Sequence, residues 1–521
     1  MARYKIIDRN PKFIPVVLDA QLIPGSFEYA LDFLVDNELD LSRFDARYKN
    51  DETGAPAYSP AVMIKIILLA YSRGLISSRD IERVCRENVL FMAISGDSAP
   101  QFTTIAKFVR ELGGEITSLF AQVLLTCDTQ GLIGRHMFAI DGVKLPSNAS
   151  KHRSGTREEL AHDAKRMEQA VEKMLKAHQS RDTQSDSMLV DADEASAQKA
   201  QAKLLAESQK IRNFLAKNAE RTNAKGKPIK SNVTDNESAK MATAKMATAK
   251  GVIQGYTGVA AVDSKHQIIV VAKAYGSGSE QNTLLPTIRA TDHLRTDQTL
   301  ITADAGYHSE DNINQLYEAN IPALIADGQI RKRDERFKDQ AKHKAKPAPI
   351  SDKSKTAEQL KAASPKHKFT PKDFTHNTEE NTCICPAGKE LYSNGSNCTI
   401  NGRIYHRFTG NKGNCGPCPQ REKCLRNSDK TEVRQVAFLH KEQSVKITCI
   451  GRMKDAIDSE RGKKLYGQRM GTVEPVFGNL RYNKGLDRFT LRSQAKVDTQ
   501  WNLFCMVHNI EKLAHHGYGA R

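Results

Sequence analysis

Residues 299–326 read TLITADAGYHSEDNINQLYEANIPALIA. Thr299 to Ala303 is a short apolar run that stops at Asp304-Ala-Gly306, the pattern of a buried strand entering a turn. Ser309 to Ala319 is polar but carries Ile313 and Leu316 at helical spacing. Ile321 to Ala326 is apolar again. Strand, helix and strand in close succession imply a partly parallel sheet, and therefore an α/β core. Upstream, Gly255–Val262 and Gln267–Ala274 flank Asp263-Ser-Lys-His266 and read as a hairpin with a short loop. Further upstream, His136-Met-Phe-Ala-Ile-Asp141-Gly142 reads as another buried strand running into a turn.

The flanks of this core differ in texture. Residues 15–130 read as helical. Val62, Ile66 and Leu69 recur at helical spacing behind Ser59-Pro60, and further helices are expected at Ser78–Cys85 and Phe102–Leu112, the latter carrying Lys107 and Arg110. Leu160, Ala164, Met167, Val171 and Met174 form one helical stripe; Leu204, Ile211, Phe214 and Leu215 form another. The polar stretch between them makes two antiparallel helices the simplest account. Lys225–Lys250, with its repeated Met-Ala-Thr-Ala-Lys, reads as a flexible linker. Residues 329–380 are rich in lysine and proline and read as a charged, poorly structured connector. Val497–Leu513 is apolar at several helical phases and reads as a buried helix, with Trp501 in the core.

With 521 residues the chain exceeds one ordinary core. The expected layout is a helical N-terminal domain over 1–130, a catalytic core over 131–155 and 251–330, a helical hairpin and linker over 156–250, a connector over 331–380, a cysteine-rich insertion over 381–430, and the end of the core over 431–521. The formal net charge is +17, which favours a polyanionic partner such as DNA. The start of the chain lacks a signal-like apolar core, and Ala61–Tyr71, interrupted by Lys65, is too short to span a bilayer. A cytoplasmic, non-membrane protein is expected, in which the ten cysteines serve burial or metal binding rather than disulfides.

Asp141 and Asp304 each end an expected strand. Carboxylates at the C-terminal ends of neighbouring strands converge on the functional edge of an α/β sheet. They repel unless a cation lies between them, and Mg²⁺ or Mn²⁺ suits such oxygen donors. A third carboxylate is Glu474, in Gly471-Thr-Val-Glu-Pro-Val-Phe-Gly-Asn-Leu-Arg481. Thr472 is the expected cap, Val473, Phe477 and Leu480 share a face, and Pro475 places Glu474 at the very start of its helix.

Together these blocks resemble the bacterial insertion-sequence transposases of the DDE class. The branch in question has a helical N-terminal domain, a ribonuclease H-like core and a tyrosine-arginine-glutamate-lysine signature. Ser77-Ser-Arg-Asp-Ile-Glu82 is similar to the N-terminal domain. Phe138-Ala-Ile-Asp-Gly-Val-Lys144 with Ser147-Asn-Ala-Ser150 is similar to the block around the first aspartate. Ala303-Asp-Ala-Gly-Tyr-His308 with Glu310-Asp-Asn312 is similar to the second block. Tyr466, Arg469, Glu474 and Arg481 fall on the signature, with arginine at the usual lysine and one extra residue between Arg469 and Glu474. The resemblance implies a ribonuclease H-like mixed sheet and metal-dependent hydrolysis at the element's ends in double-stranded DNA. It also implies attack of the freed 3′-hydroxyl on target DNA, a synaptic homodimer, and DNA contacts from Tyr466, Arg469, Arg481 and Lys144. His308 is expected to meet substrate or to be structural. Alternatives are a related nuclease without strand transfer, and a non-catalytic DNA-binding protein.

Six cysteines fall between 383 and 424. Cys415-Gly-Pro-Cys418 is a C-x2-C knuckle, and Cys383-Ile-Cys385 is the expected second pair of a structural Zn²⁺ site, with Cys424, Cys398 and His406 as alternative ligands. Cys85, Cys127, Cys449 and Cys505 stand in apolar contexts and are expected to be buried.

Overall fold

A computed structural model describes residues 15–48, 50, 56–182, 191–222, 226–242, 251–337, 368–395, 398–400, 403–428, 430–439 and 448–519. The chain divides into two compact units, one of residues 1–333 with 449–521 and one of residues 334–448.

The first unit opens with helices α1 (Phe27–Asn37), α2 (Pro60–Ser72), α3 (Ser78–Glu87), α4 (Val89–Ser95), α5 (Phe102–Glu111) and α6 (Glu115–Thr129). Ser26 starts α1 by accepting the Tyr29 amide. Every residue of α2 from Met63 to Tyr71 is buried, Lys65 included. Lys65 survives there because its Nζ lies 2.6 Å from both Asp32 Oδ1 and Asp36 Oδ2, one turn apart on α1. A buried ammonium is tolerated when it is paired in this way.

The sheet is mixed. Strand β1 (Met137–Pro146) is its centre. On one side it pairs antiparallel with β3 (Val252–Asp263), which pairs in turn with β2 (Ala239–Ala242) and β4 (Ile269–Tyr275). On the other side β1 runs parallel to β5 (Leu300–Ala303), and β5 runs parallel to β6 (Ala323–Ile325). Helices α9 (Leu284–Ala290) and α10 (Glu310–Glu318) connect these strands. The expected hairpin and the strand–helix–strand unit are both present.

Two helices form the inserted hairpin, α7 (Arg157–Asp182) and α8 (Asp191–Lys217). Leu160, Ala164 and Ile211 make its core, and Arg212 grips Glu168 across it. The expected linker is partly ordered. Asn232 accepts the amides of Thr234 and Asp235, Tyr256 donates to Asp235 at 2.7 Å, and β2 adds to β3. Residues 243–250, which hold most of the repeat, lie outside the described residues.

After the second unit the chain returns as α11 (Cys449–Asp458), α12 (Glu460–Gly478) and α13 (Gln494–His515). Helix α13 is the buried helix expected at the C-terminus. Trp501 is fully buried, donates its indole N–H to the Val259 carbonyl at 3.1 Å and stacks on Phe477. Polar side chains of α13 also reach β4. Asn509 bonds the N–H and C=O of Ile269, and Asp498 accepts the Ala274 amide. These contacts satisfy backbone groups on a strand edge. Of the four cysteines expected to be buried, Cys85, Cys127 and Cys505 are, and Cys449 is half-buried. No helix among the described residues is long and apolar enough to cross a membrane.

The second unit is a small antiparallel sheet of β7 (Thr375–Asn377), β8 (Thr382–Ile384), β9 (Glu390–Ser393), β10 (Cys398–Ile400), β11 (Arg403–Thr409) and β12 (Gln435–Leu439). It runs β10-β11-β9-β8-β7, with β12 also on β11. Its core is Phe374, Cys383, Leu391, Phe408 and Val436. Thr375–Asn377, expected in the connector, therefore contributes to this sheet, and so does Gln435–Leu439, beyond the expected boundary at 430. Residues 338–367 lie outside the described residues.

Candidate active site

The site begins where the parallel ladder of β1 and β5 ends. Its last pair is Ile140 with Ala303, and the next residues are Asp141 and Asp304. Asp141 does not end its strand, contrary to the sequence expectation. β1 continues to Pro146 because β3 pairs alongside, with Asp141 opposite Ala260. Asp141-Gly142 is therefore strand and not turn. Gly142 has a spatial reason instead: a Cβ there would lie 3.0 Å from Thr257 Cγ2 and 3.1 Å from the Tyr307 hydroxyl.

Asp141 Oδ1 accepts the Gly142 amide at 2.8 Å, and Oδ2 lies 2.8 Å from Arg469 Nη2. Burial pushes its carboxyl up to about 6. Arg469 and the Gly142 amide pull it down, while Asp304 and Glu474 push it up further. Asp304 caps the short turn Ala305–Tyr307, its Oδ1 accepting the Gly306 amide at 2.8 Å. Tyr307 is buried, its hydroxyl has no hydrogen-bond partner, and its pKa lies well above the ordinary phenol value. Burial is the main cause, followed by the nearby charges of Asp141, Glu280 and Asp304.

Helix α12 supplies the third side. Ser459 starts it by accepting the Gly462 amide, so Glu474 and Pro475 fall in its interior and not at its start, and Thr472 does not cap it but donates back to the Gln468 carbonyl. Pro475 cannot donate to the Gly471 carbonyl one turn earlier. Gln267 fills that vacancy, its Nε2 donating to Gly471 O at 2.9 Å. Val473, Phe477 and Leu480 are buried on one face, as expected, while Glu474 is exposed. Arg469 is 6% exposed and pairs with Asp141, so it is not a surface residue in this structure. Tyr466 is half-buried and its hydroxyl is pushed up, chiefly by burial, with Asp304 and Asp141 adding to the rise. Arg481 lies in the π turn Asn479–Asn483, exposed, with its guanidinium over the Tyr482 ring.

The two outer regions of the chain carry family matches. Residues 384–514 match the family described as Transposase DDE domain, and residues 16–111 match the one described as Transposase domain (DUF772). Both matches support an insertion-sequence transposase of the DDE class. No curated protein and no solved structure matches it.

The DDE match covers the part of the transposase that holds Tyr466, Arg469, Glu474 and Arg481, while Asp141 and Asp304 fall outside both matches. The structure adds a carboxylate that the sequence reading missed. Glu280 Oε1 lies 2.9 Å from Lys144 Nζ, and its other oxygen packs against Gly306, where a Cβ would collide with it. Only its position shortly after β4 could have flagged it. Lys144 is thus engaged by Glu280. His308 Nε2 is buried without a hydrogen-bond partner, and burial holds its ring below the ordinary histidine value, with Asp327 opposing. Of the expected zinc ligands, Cys385, Cys415, Cys418 and Cys424 line one cavity of the second unit, whereas Cys383 is turned into that unit's apolar core. Cys398 and His406 do not line the cavity. Among the described residues, no three His, Cys, Asp or Glu side chains are already gathered as a metal-holding group.

Proposed function

We propose that Asp141, Asp304 and Glu474 are the catalytic carboxylates of the transposase and act on double-stranded DNA at the ends of its element. Hydrolysis of a phosphodiester bond there leaves a 3′-hydroxyl, which then attacks a target phosphodiester and displaces its 3′-oxygen. One observation carries this reading: the parallel pair β1 and β5 ends at Ile140 and Ala303, which sets Asp141 beside Asp304, and Glu474 of α12 is close enough to act on Asp141. The antiparallel strands β1, β3 and β4, with β2 added to β3, followed by the parallel β5 and β6, support a ribonuclease H-like core.

The donor set fits a hard divalent cation in its chemistry. Asp141 is a half-buried carboxylate already pushed up to about 6, with two further carboxylates adding to the excess of negative charge, which Arg469 and the Gly142 amide offset in part. Asp141 and Asp304, with Glu474, are the residues that would hold Mg²⁺ or Mn²⁺. The ion would activate the attacking oxygen and stabilise the leaving one. The protein's own part is to hold these carboxylates on a rigid sheet edge. Lys144, exchanging Glu280 for a phosphate, Tyr466 and Arg481 bind and orient the DNA backbone. Synapsis of two ends calls for two copies of the chain.

The test incubates the purified transposase with DNA carrying its inverted-repeat ends and Mg²⁺ or Mn²⁺. Asp141→Asn, Asp304→Asn and Glu474→Gln are each expected to lose cleavage while still shifting the DNA in a gel. Wild-type cutting by any of the three removes that residue from the mechanism. Pre-cut ends bearing a 3′-hydroxyl separate the steps: joining to target supports the transposase reading, and cleavage without joining supports a nuclease.

A further inference from the structure

The second unit carries a cluster of thiols that this chemistry leaves unused. Cys385, Cys415, Cys418 and Cys424 line a single cavity, and all ten cysteines of the chain are free. The four come from separate pieces of local structure whose backbones are braced. Cys385 follows β8 in a tight turn: its amide donates to Lys389 O at 2.9 Å, its carbonyl accepts Gly388 N at 2.8 Å, and its Sγ accepts the Lys389 amide at 3.4 Å. Cys415 ends the short helix Lys412–Cys415, and its carbonyl accepts from Arg421 at 2.9 Å. Cys418 follows across Gly416-Pro417. Cys424 ends the helix Arg421–Cys424, with its carbonyl accepting from Arg434 at 3.0 Å.

The four thiols also act on one another. Burial pushes the Cys424 thiol up and Arg434 pulls it back, while Cys415, Cys385 and Cys418 each push it up again. Several thiolates in one space are mutually repulsive unless a cation neutralises them. Cys383 is excluded by strand geometry. It lies in β8 opposite Leu391 and His376, fully buried among the apolar side chains of the core. The unit has a further reason to need a staple, since its buried apolar core comprises five described side chains.

We propose that Cys385, Cys415, Cys418 and Cys424 together bind one Zn²⁺ ion as a closed structural site that holds the second unit's fold. Four thiolates at about 2.3 Å complete the tetrahedral shell of zinc and leave no position for water or substrate. The thiols surround the space without being drawn together yet, so loading turns their side chains inward and displaces the thiol protons. The proposal is independent of the carboxylate site, because it is read from metal content in the absence of DNA.

The full chain, purified without chelator, is analysed for bound metals by mass spectrometry and for reactive thiols by alkylation mapping. About one zinc per chain is expected for a single four-thiolate site. Cys385, Cys415, Cys418 and Cys424 should resist alkylation as a set until a chelator withdraws the metal, while Cys398 reacts before and after. Cys424→Ser should lose the zinc, and Cys398→Ser should keep it. If Cys424→Ser does not fold, the alkylation map of the wild-type chain and the charge-transfer bands of its Co²⁺-substituted form decide the matter. A chain that stays metal-free after reconstitution with Zn²⁺ overturns the proposal. So do iron with labile sulfide at the site, or full zinc in Cys424→Ser together with its loss in Cys383→Ala.

Discussion

Arg469→Met removes the guanidinium beside Asp141 and keeps most of the apolar stem, which makes the ion pair measurable. Breaking a buried pair usually costs about 3–5 kcal/mol, because the remaining charge is stranded. Here the stranded group can escape by taking up a proton. Asp141 titrates at about 6 even with Arg469 2.8 Å away. Without the guanidinium its pKa rises further, since burial and the charges of Asp304 and Glu474 remain. Below pH 6 both proteins hold Asp141 protonated, and the substitution costs only packing. Above pH 6 the native wild type releases that proton while the native variant keeps it, and the unfolded chains are ionised in both. The variant then loses about 1.4 kcal/mol of stability relative to wild type per pH unit. The electrostatic part of the penalty is therefore near zero at pH 6, about 1.4 kcal/mol at pH 7 and up to about 2.7 kcal/mol at pH 8. Urea unfolding in EDTA at these three pH values, for wild type, Arg469→Met, Asp141→Asn and the double variant, measures it. A penalty that does not change with pH, or that grows equally in the Asp141→Asn background, would refute the reasoning.

His508 is buried on α13, with Nε2 2.9 Å from the Gln267 carbonyl and Nδ1 3.1 Å from Asn479 Nδ2. Burial pushes its ring down to about 4, so the neutral form contributes stability that is complete above the unfolded value of 6.5 and is lost as pH falls toward 4. The loss amounts to about 3 kcal/mol, and His508→Gln should flatten this part of the acid unfolding curve; an unchanged curve would assign the acid sensitivity elsewhere. Trp501→Ala should cost about 3–5 kcal/mol through the cavity and the lost hydrogen bond to the Val259 carbonyl, read as a lower unfolding midpoint. Gln267→Ala, which strips the donor from the Gly471 carbonyl and an acceptor from Lys512, should cost about 1–3 kcal/mol. The same change combined with Pro475→Ala should cost less, because the alanine amide can satisfy Gly471, and equal losses would show that Gln267 does not compensate for the proline.

The α/β core was legible because its strands are short, apolar and separated by polar segments, and because a strand–helix–strand order leaves few topologies. Local signals failed where a distant partner overrides them. Asp141-Gly142 has turn chemistry, but β3 pairs with β1 as far as Pro146 and Gly255, more than a hundred residues apart in the chain. The expected linker folds because Asp235, Ser238 and Gln254 satisfy one another and their neighbours, which no compositional reading detects. In the second unit, spacing alone could not tell which of Cys383 and Cys385 faces the cavity. The register of β8 against β7 and β9 settles it by turning Cys383 into the core.

Glu474 shows the limit most clearly, because its identity was readable and its position was not. Read locally, a proline one residue downstream marks a helix beginning, since a first-turn amide has no partner to lose. In the folded chain that helix is already under way, nucleated at Ser459, and Pro475 interrupts it close to its end. The missing hydrogen bond is made good by Gln267, 204 residues earlier in the chain, at the turn between β3 and β4. The same residue accepts His508 and Lys512 from α13. One turn of the sheet thus ties together the helix that bears Arg469 and Glu474 and the helix that closes the core. The interior placement of Pro475 therefore holds α12 at a point set by the sheet, with Arg469 delivered to Asp141, and a helix starting at Thr472 would leave Arg469 outside it.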